Sequence, residues 1–143
     1  MQRRRKYVCG GTDTILVAED DAAIRKLSVA VLRESGYTVI EAVNGADAVS
    51  RFQENKDDIK LVLLDGIMPK MNGKEVFKAI RVMAPKIKCI FMSGYAEDIF
   101  TKAALTEEDA GFILKPASPA ALLTKSREVL DKQNLSMLYF RQS

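Results

Sequence analysis

The feature that most constrains the fold is the regular alternation of short apolar runs with amphipathic segments. The first and third runs are almost continuously Val, Ile, Leu and Ala, which is typical of parallel strands buried on both faces. Strands that alternate with helices predict an α/β fold, a single-domain five-stranded parallel sheet that is doubly wound by helices. The five predicted strands are Thr14–Ala18, Thr38–Ala42, Leu61–Leu64, Lys88–Met92 and Gly111–Leu114.

Apolar residues at three- and four-residue steps predict the helices between these strands. In the first helix, Ile24, Leu27, Val31 and Leu32 form the expected buried face, and Gly36 marks the end of the helix. Further helices are expected at Ala46–Glu54, Gly73–Met83 and, more weakly patterned, Glu97–Ala104. The last is expected to start at Pro119 after a Ser118 cap, with Leu122, Leu123, Val129 and Leu130 buried.

Composition narrows the class of protein. The chain has 143 residues and a net charge of +3, but four positive charges lie in Arg3–Lys6, so residues 1–11 are expected to be a basic tail rather than a nucleic-acid-binding arm. Cys9 and Cys89 do not have a metal-binding spacing. The sequence contains no apolar run long enough to span a membrane, and we expect a cytoplasmic protein without membrane contact.

The sequence contains no histidine. This excludes Ser-His and Cys-His nucleophilic pairs, histidine metal sites and a phosphohistidine within the chain. Any histidine chemistry must therefore come from a partner.

Polar residues follow four of the predicted strands. Glu19 and Asp20 follow the first, Asp65 the third, Ser93 the fourth and Lys115 the fifth. Parallel strands end at one edge of the sheet, where ligands bind in open α/β folds, so we expect these side chains to converge. Glu19 is the first of three adjacent acids. Their charges repel one another unless the acids cap a helix or bind a positively charged group.

Four segments in this order, "AEDD", "LLDGIMPKMNG", "FMSGYAED" and "FILKPAS", resemble the receiver domain of two-component response regulators. The resemblance spans residues 12–132, and it implies the flavodoxin-like (βα)5 receiver fold. The segments "GGTDTILVAEDD" and "MSGYAEDIF" look most like receivers of hybrid sensor histidine kinases, so a stand-alone or excised receiver is expected. Residues 133–143 form a C-terminal tail to which the resemblance assigns no role.

The resemblance implies that Asp65 accepts a phosphoryl group from a phosphohistidine on a histidine kinase or histidine phosphotransfer protein. Glu19, Asp20, Asp65 and the backbone carbonyl of Ile67 would bind Mg²⁺, a cation that prefers such oxygen ligands. Asp21 would mainly cap the first helix.

By the same resemblance, Lys115 is the phosphoryl group's counter-ion and is followed by a cis bond to Pro116. Ser93 would hydrogen-bond the phosphoryl oxygens, and Ser93 and Phe112 would switch the face formed by the fourth and fifth strands. The domain would assist its own phosphorylation and dephosphorylation without being a kinase. A weak or phosphorylation-dependent homodimer is compatible with this role.

Three other functions fit a similar sheet. A degenerate receiver would be an interaction module without phosphorylation. A flavodoxin-like cofactor binder is disfavoured because Glu19 and Asp20 would repel a phosphate group. An aspartyl-phosphate hydrolase usually has a second acid two residues after the nucleophile, where Ile67 stands.

Overall fold

The computed structural model describes residues 11–68, 71–93 and 110–142. From residue 11 to residue 93 the strands and helices alternate as the apolar pattern predicts. The helix predicted at Glu97–Ala104 lies outside the described residues. The elements are β1 (Thr14–Ala18), α1 (Ala22–Glu34), β2 (Thr38–Ala42), α2 (Gly45–Asn55), β3 (Ile59–Asp65), α3 (Gly73–Met83), β4 (Lys88–Ser93), β5 (Ala110–Leu114) and α4 (Pro119–Gln142).

The five strands form one parallel sheet in the order β2-β1-β3-β4-β5. Leu16 in the central strand β1 pairs with Ile40 on one side and Val62 on the other. After β2 the chain crosses back over β1 to form β3, so the strand order reverses between β1 and β3. This is the switch point at which open α/β sheets bind ligands, and the predicted fold class is confirmed.

Apolar side chains from the helices cover both faces of the sheet. Phe52 of α2 and Phe77 of α3 are buried on one face, where the Phe77 ring packs edge-on against Phe91 of β4 with 5.4 Å between the ring centroids. Leu32 of α1 and Leu122 of α4 are buried on the other face. Burial of each such side chain contributes about 1.5–3 kcal/mol of hydrophobic free energy, so both helical layers stabilise the sheet.

The predicted buried face of α1 is partly wrong. Leu32 is buried, but Ser28 and Val29 are buried beside it, whereas Leu27 is 59% exposed and Ile24 is 37% exposed. The apolar stripe is wider than the part of α1 that faces the sheet, because α4 packs beside α1 and leaves a groove between the two helices. Ile24 and Leu27 line that groove.

Caps set the directions in which two of the helices leave the carboxyl edge of the sheet. The Asp21 carboxylate accepts a hydrogen bond from the Ile24 amide at 3.1 Å, so Asp21 caps α1 as expected. At the other end of α1, Gly36 adopts φ = +102°, a conformation that favours glycine. The Ser118 hydroxyl accepts from the Ala121 amide at 3.1 Å and caps α4.

Candidate functional site

Three carboxylates meet where β1 and β3 end. Ala18 pairs with Leu64 in the sheet, so the residues that follow them reach the carboxyl edge side by side. Glu19, Asp20 and Asp65 each offer an oxygen, and these oxygens lie within 4.8 Å of one another. Glu19 and Asp65 are buried, whereas Asp20 is exposed and opens the cluster to solvent.

Lys115 reaches this cluster from the end of β5. Its Nζ lies 2.8 Å from Glu19 Oε1 and 3.1 Å from Asp65 Oδ1. The Lys115 backbone N–H donates to the Ser93 carbonyl at 2.8 Å, and the Lys115–Pro116 bond is cis. Burial alone would lower the pKa of Lys115, but the contacts with the two carboxylates outweigh it and raise the pKa, so the ammonium stays charged.

Asp65 has an unusual affinity for protons. Burial penalises its charged form and is the largest cause of the shift; the hydrogen bond and the charge of Glu19 act in the same direction. Lys115 opposes both effects but does not cancel them, and the pKa of Asp65 rises from 3.8 to about 7. A carboxyl group with such a pKa at the ligand-binding edge of the sheet is typical of a functional site.

Gly66, Ile67 and Gly73 lie close to the end of β3. The Ile67 amide donates to Asp65 Oδ1 at 3.3 Å, and the Gly73 amide donates to the Gly66 carbonyl at 3.2 Å. A Cβ atom at Gly73 would lie only 2.8 Å from the Asp65 carbonyl oxygen, so this position needs glycine for the close approach. The Ile67 side chain is exposed.

Ser93 lies on β4, which pairs with β3, and Phe112 lies on β5, the next strand beyond β4. Ser93 is buried at the end of β4, one residue beyond Met92, which pairs with Asp65. Phe112 of β5 pairs with Phe91 and packs against the aromatic side of the core. The structure thus brings Glu19, Asp20, Asp65 and Lys115 into one pocket, with Ser93 at the end of the adjacent strand.

Sequence reasoning missed one residue of this site. Arg25, in the first turns of α1, donates from Nη1 to the main-chain carbonyl of Glu19 at 2.8 Å. The one sequence signal available was an arginine four residues after the capping Asp21, where the helix turns back towards the end of β1. Its partner is a carbonyl group, which every residue has, so no motif identified the contact.

The donor set of the pocket fits a small divalent cation. Three carboxylates at the ends of two neighbouring strands supply hard oxygen ligands, and the exposed side of Asp20 leaves room for water ligands. Neither histidine nor cysteine lies among these donors, so the set favours Mg²⁺ over softer metals. A cation here would compete with the Lys115 ammonium for Glu19, because Lys115 contacts that carboxylate directly.

The sequence profile of the response regulator receiver domain matches residues 15–127. Sensor kinase CckA of Brucella abortus is 39% identical over 124 residues, which are 87% of this chain but only 13% of that kinase. The CheY-like receiver domain protein of Methanospirillum hungatei has a TM-score of 0.78 at 30% identity, covering 88% of this chain and 99% of that one.

A second solved structure adds chemical context. The CheX–CheY–BeF3–Mg²⁺ complex of Borrelia burgdorferi has a TM-score of 0.76 at 26% identity, with 82% of this chain and 88% of that chain covered.

Among the helices in the described ranges, none is both long and apolar enough to cross a membrane.

Proposed function

The chain belongs to the response regulator receiver family, and from this premise we propose that Asp65 accepts a phosphoryl group from a phosphohistidine on a partner protein. The partner would be a histidine kinase or a histidine phosphotransfer protein. The observation that carries the proposal is the position of Asp65, which is buried beside Glu19 and Asp20 with the Lys115 ammonium 3.1 Å from its carboxylate.

The transfer needs little covalent chemistry from the protein. An Asp65 carboxylate oxygen attacks phosphorus, the bond from phosphorus to the partner's imidazole nitrogen breaks, and that nitrogen keeps the electron pair. Negative charge spreads over the three peripheral phosphoryl oxygens during the transfer, so positioned cations and hydrogen-bond donors lower the barrier. Lys115 would pair with one of these oxygens and the Ser93 hydroxyl would donate to another.

Mg²⁺ held by Glu19, Asp20, Asp65 and the Ile67 carbonyl would neutralise phosphoryl charge. A phosphoryl group would add negative charge to a cluster that already holds three acids and one lysine, and a bound cation would offset this charge. The related complex from Borrelia burgdorferi includes both Mg²⁺ and BeF3, which supports this assignment.

The apolar groove between α1 and α4 would receive the phosphohistidine donor. It has a volume of about 330 Å³, and it adjoins the acidic pocket because Lys115 lines the groove and also contacts Asp65. Its walls include Ile24 and Leu27, the two large exposed apolar residues of α1, and Leu122 of α4. A helix of the donor seated in this groove would present its histidine beside Asp65.

Phosphorylation would then change the face formed by β4 and β5. A phosphoryl group on Asp65 gives the Ser93 hydroxyl a new acceptor, and a shift of Ser93 would be passed to Phe112 through the paired strands. Phe112 has no hydroxyl, so this switch would act through packing.

The other candidate function is that of an interaction module with the same fold that is never phosphorylated.

The test is to incubate the protein with Mg²⁺ and acetyl phosphate, or with beryllofluoride. We expect the intact mass to increase by one phosphoryl group, and the resonances of Ser93 and Phe112 to move with beryllofluoride. Asp65→Asn should abolish both responses, whereas Asp58→Asn, at an exposed acid after α2, should keep them. A folded protein that gives neither response would be the interaction module.

A further inference from the structure

We propose that Arg25 is a positioning residue that holds the acidic loop after β1 in the conformation that binds Mg²⁺. The proposal rests on the proposed function, since it concerns the same cation site. Its basis is that the Arg25 guanidinium contacts the main chain of Glu19, the residue that precedes the exposed Asp20.

Besides the contact of its Oε1 with Lys115, Glu19 is held at three further points. Its amide donates to the Ala42 carbonyl at 3.2 Å, its carbonyl accepts from Arg25 at 2.8 Å, and its Oε2 accepts from the Asp21 amide at 3.1 Å. The bond from Arg25 fixes the peptide plane that leads into Asp20. An exposed carboxylate gains little metal affinity unless its backbone is already ordered, so this bond sets the direction from which Asp20 approaches the cation.

Arg25 is itself fixed by a second contact. Its Nε lies 3.4 Å from Glu41 Oε1, and its side chain is only 11% exposed. Glu41 is in β2, next to Ala42, so the guanidinium joins the edge strand to the acidic loop. Arginine suits this position because its planar group offers several donors in fixed directions, whereas a lysine ammonium would have to leave one partner.

Charge and position have opposite effects, which makes the role of Arg25 testable. Removing a positive charge near three acids should strengthen cation binding through electrostatics. Removing the bond that orders Glu19 and Asp20 should weaken it. A loss of affinity in the charge-removing variant therefore reports the positioning role.

Arg33 provides a matched control on the same helix. Its Nη2 lies 3.8 Å from Glu41 Oε2 and donates to the Val39 carbonyl at 3.0 Å. Arg33→Met thus removes the same charge, a contact with the same glutamate and a hydrogen bond to a carbonyl. It leaves the bond from Arg25 to Glu19 in place.

The first measurement is the Mg²⁺ dissociation constant, determined by calorimetry on the full chain. We expect Arg25→Met to weaken binding about tenfold, as is typical when a residue that orients a metal ligand is lost. Arg33→Met should bind as tightly as the wild type or slightly more tightly. Arg25→Lys, which keeps the charge and one donor, should recover part of the loss.

The second measurement is amide hydrogen exchange of Asp20 and Asp21 in the metal-free protein. Arg25→Met should speed exchange at both amides, whereas Arg33→Met should not. Equal affinities for the two variants, or faster exchange without loss of affinity, would overturn the role of Arg25 and leave the proposed function intact. A wild-type protein that does not bind Mg²⁺ would overturn both.

Discussion

At the proposed Mg²⁺ site, proton binding and cation binding should compete, so the affinity for Mg²⁺ should depend on pH. Burial and the neighbouring Glu19 raise the pKa of Asp65 to about 7. A carboxylate must lose its proton before it can bind a metal, so Mg²⁺ must displace that proton. Affinity is therefore expected to fall as the pH falls through 7, well above the range in which an ordinary aspartate would matter.

The magnitude follows from the fraction of Asp65 that is ionised. With a pKa of about 7, about nine-tenths of the metal-free protein carries an ionised Asp65 at pH 8 and about one-tenth does at pH 6. The apparent dissociation constant of Mg²⁺ should thus increase about tenfold between pH 8 and pH 6. For an aspartate with a pKa of 3.8, the change over the same interval would be negligible.

Calorimetric titrations with Mg²⁺ at pH 6, 7 and 8 test this prediction, in two buffers that differ in their enthalpy of ionisation. At pH 7 the heats should show the release of about half a proton per cation bound. Asp65→Asn removes the titrating group, so any Mg²⁺ affinity left in that variant should hardly change over this interval. A wild-type affinity that varies less than twofold from pH 6 to pH 8 would refute the argument, since it would mean that Asp65 is already ionised at pH 6.

Three further predictions follow from the same contacts. The pKa of Asp65 in the folded protein lies above its ordinary value of 3.8, so its proton stabilises the metal-free fold at acid pH. This contribution to the free energy of unfolding should be lost as the pH rises from about 4 to 7. Urea unfolding should detect the decrease in the wild type and a smaller decrease in Asp65→Asn. Lys115→Met removes the ammonium that would compete for Glu19, so calorimetry at a pH high enough to keep Asp65 ionised should show at least about fivefold tighter Mg²⁺ binding. The variant also lacks the proposed counter-ion of the phosphoryl group, so nuclear magnetic resonance should show no response to beryllofluoride. Gly73→Ala places a Cβ atom 2.8 Å from the Asp65 carbonyl oxygen, so urea unfolding should show a loss of roughly 1–3 kcal/mol, and the rate of phosphorylation by acetyl phosphate should fall.

The sheet could be predicted from the sequence because burial on both faces leaves a continuous apolar run. The predicted bounds of β1 and β2 agree with the structure, whereas β3 begins earlier and ends later than predicted, at Ile59 and Asp65. Both differences arise at polar residues, Lys60 near the start and the buried acid at the end, where the apolar pattern stops before the strand does. The face of α1 was partly wrong for a related reason, since periodicity identifies an apolar stripe but not which neighbour covers each part of it.

The residues of the pocket also differ in how far the sequence could predict them. Parallel strands end at one edge of the sheet, so a polar residue that ends an apolar run is expected at that edge. This made it possible to predict that Glu19, Asp65 and Lys115 are neighbours. Arg25 was not predictable, because it binds a main-chain carbonyl and pairs with Glu41 in a strand that supplies no group to the pocket. Residues that bind the ligand therefore mark the sequence through their chemistry, whereas residues that orient them through the backbone are found only once the fold is known.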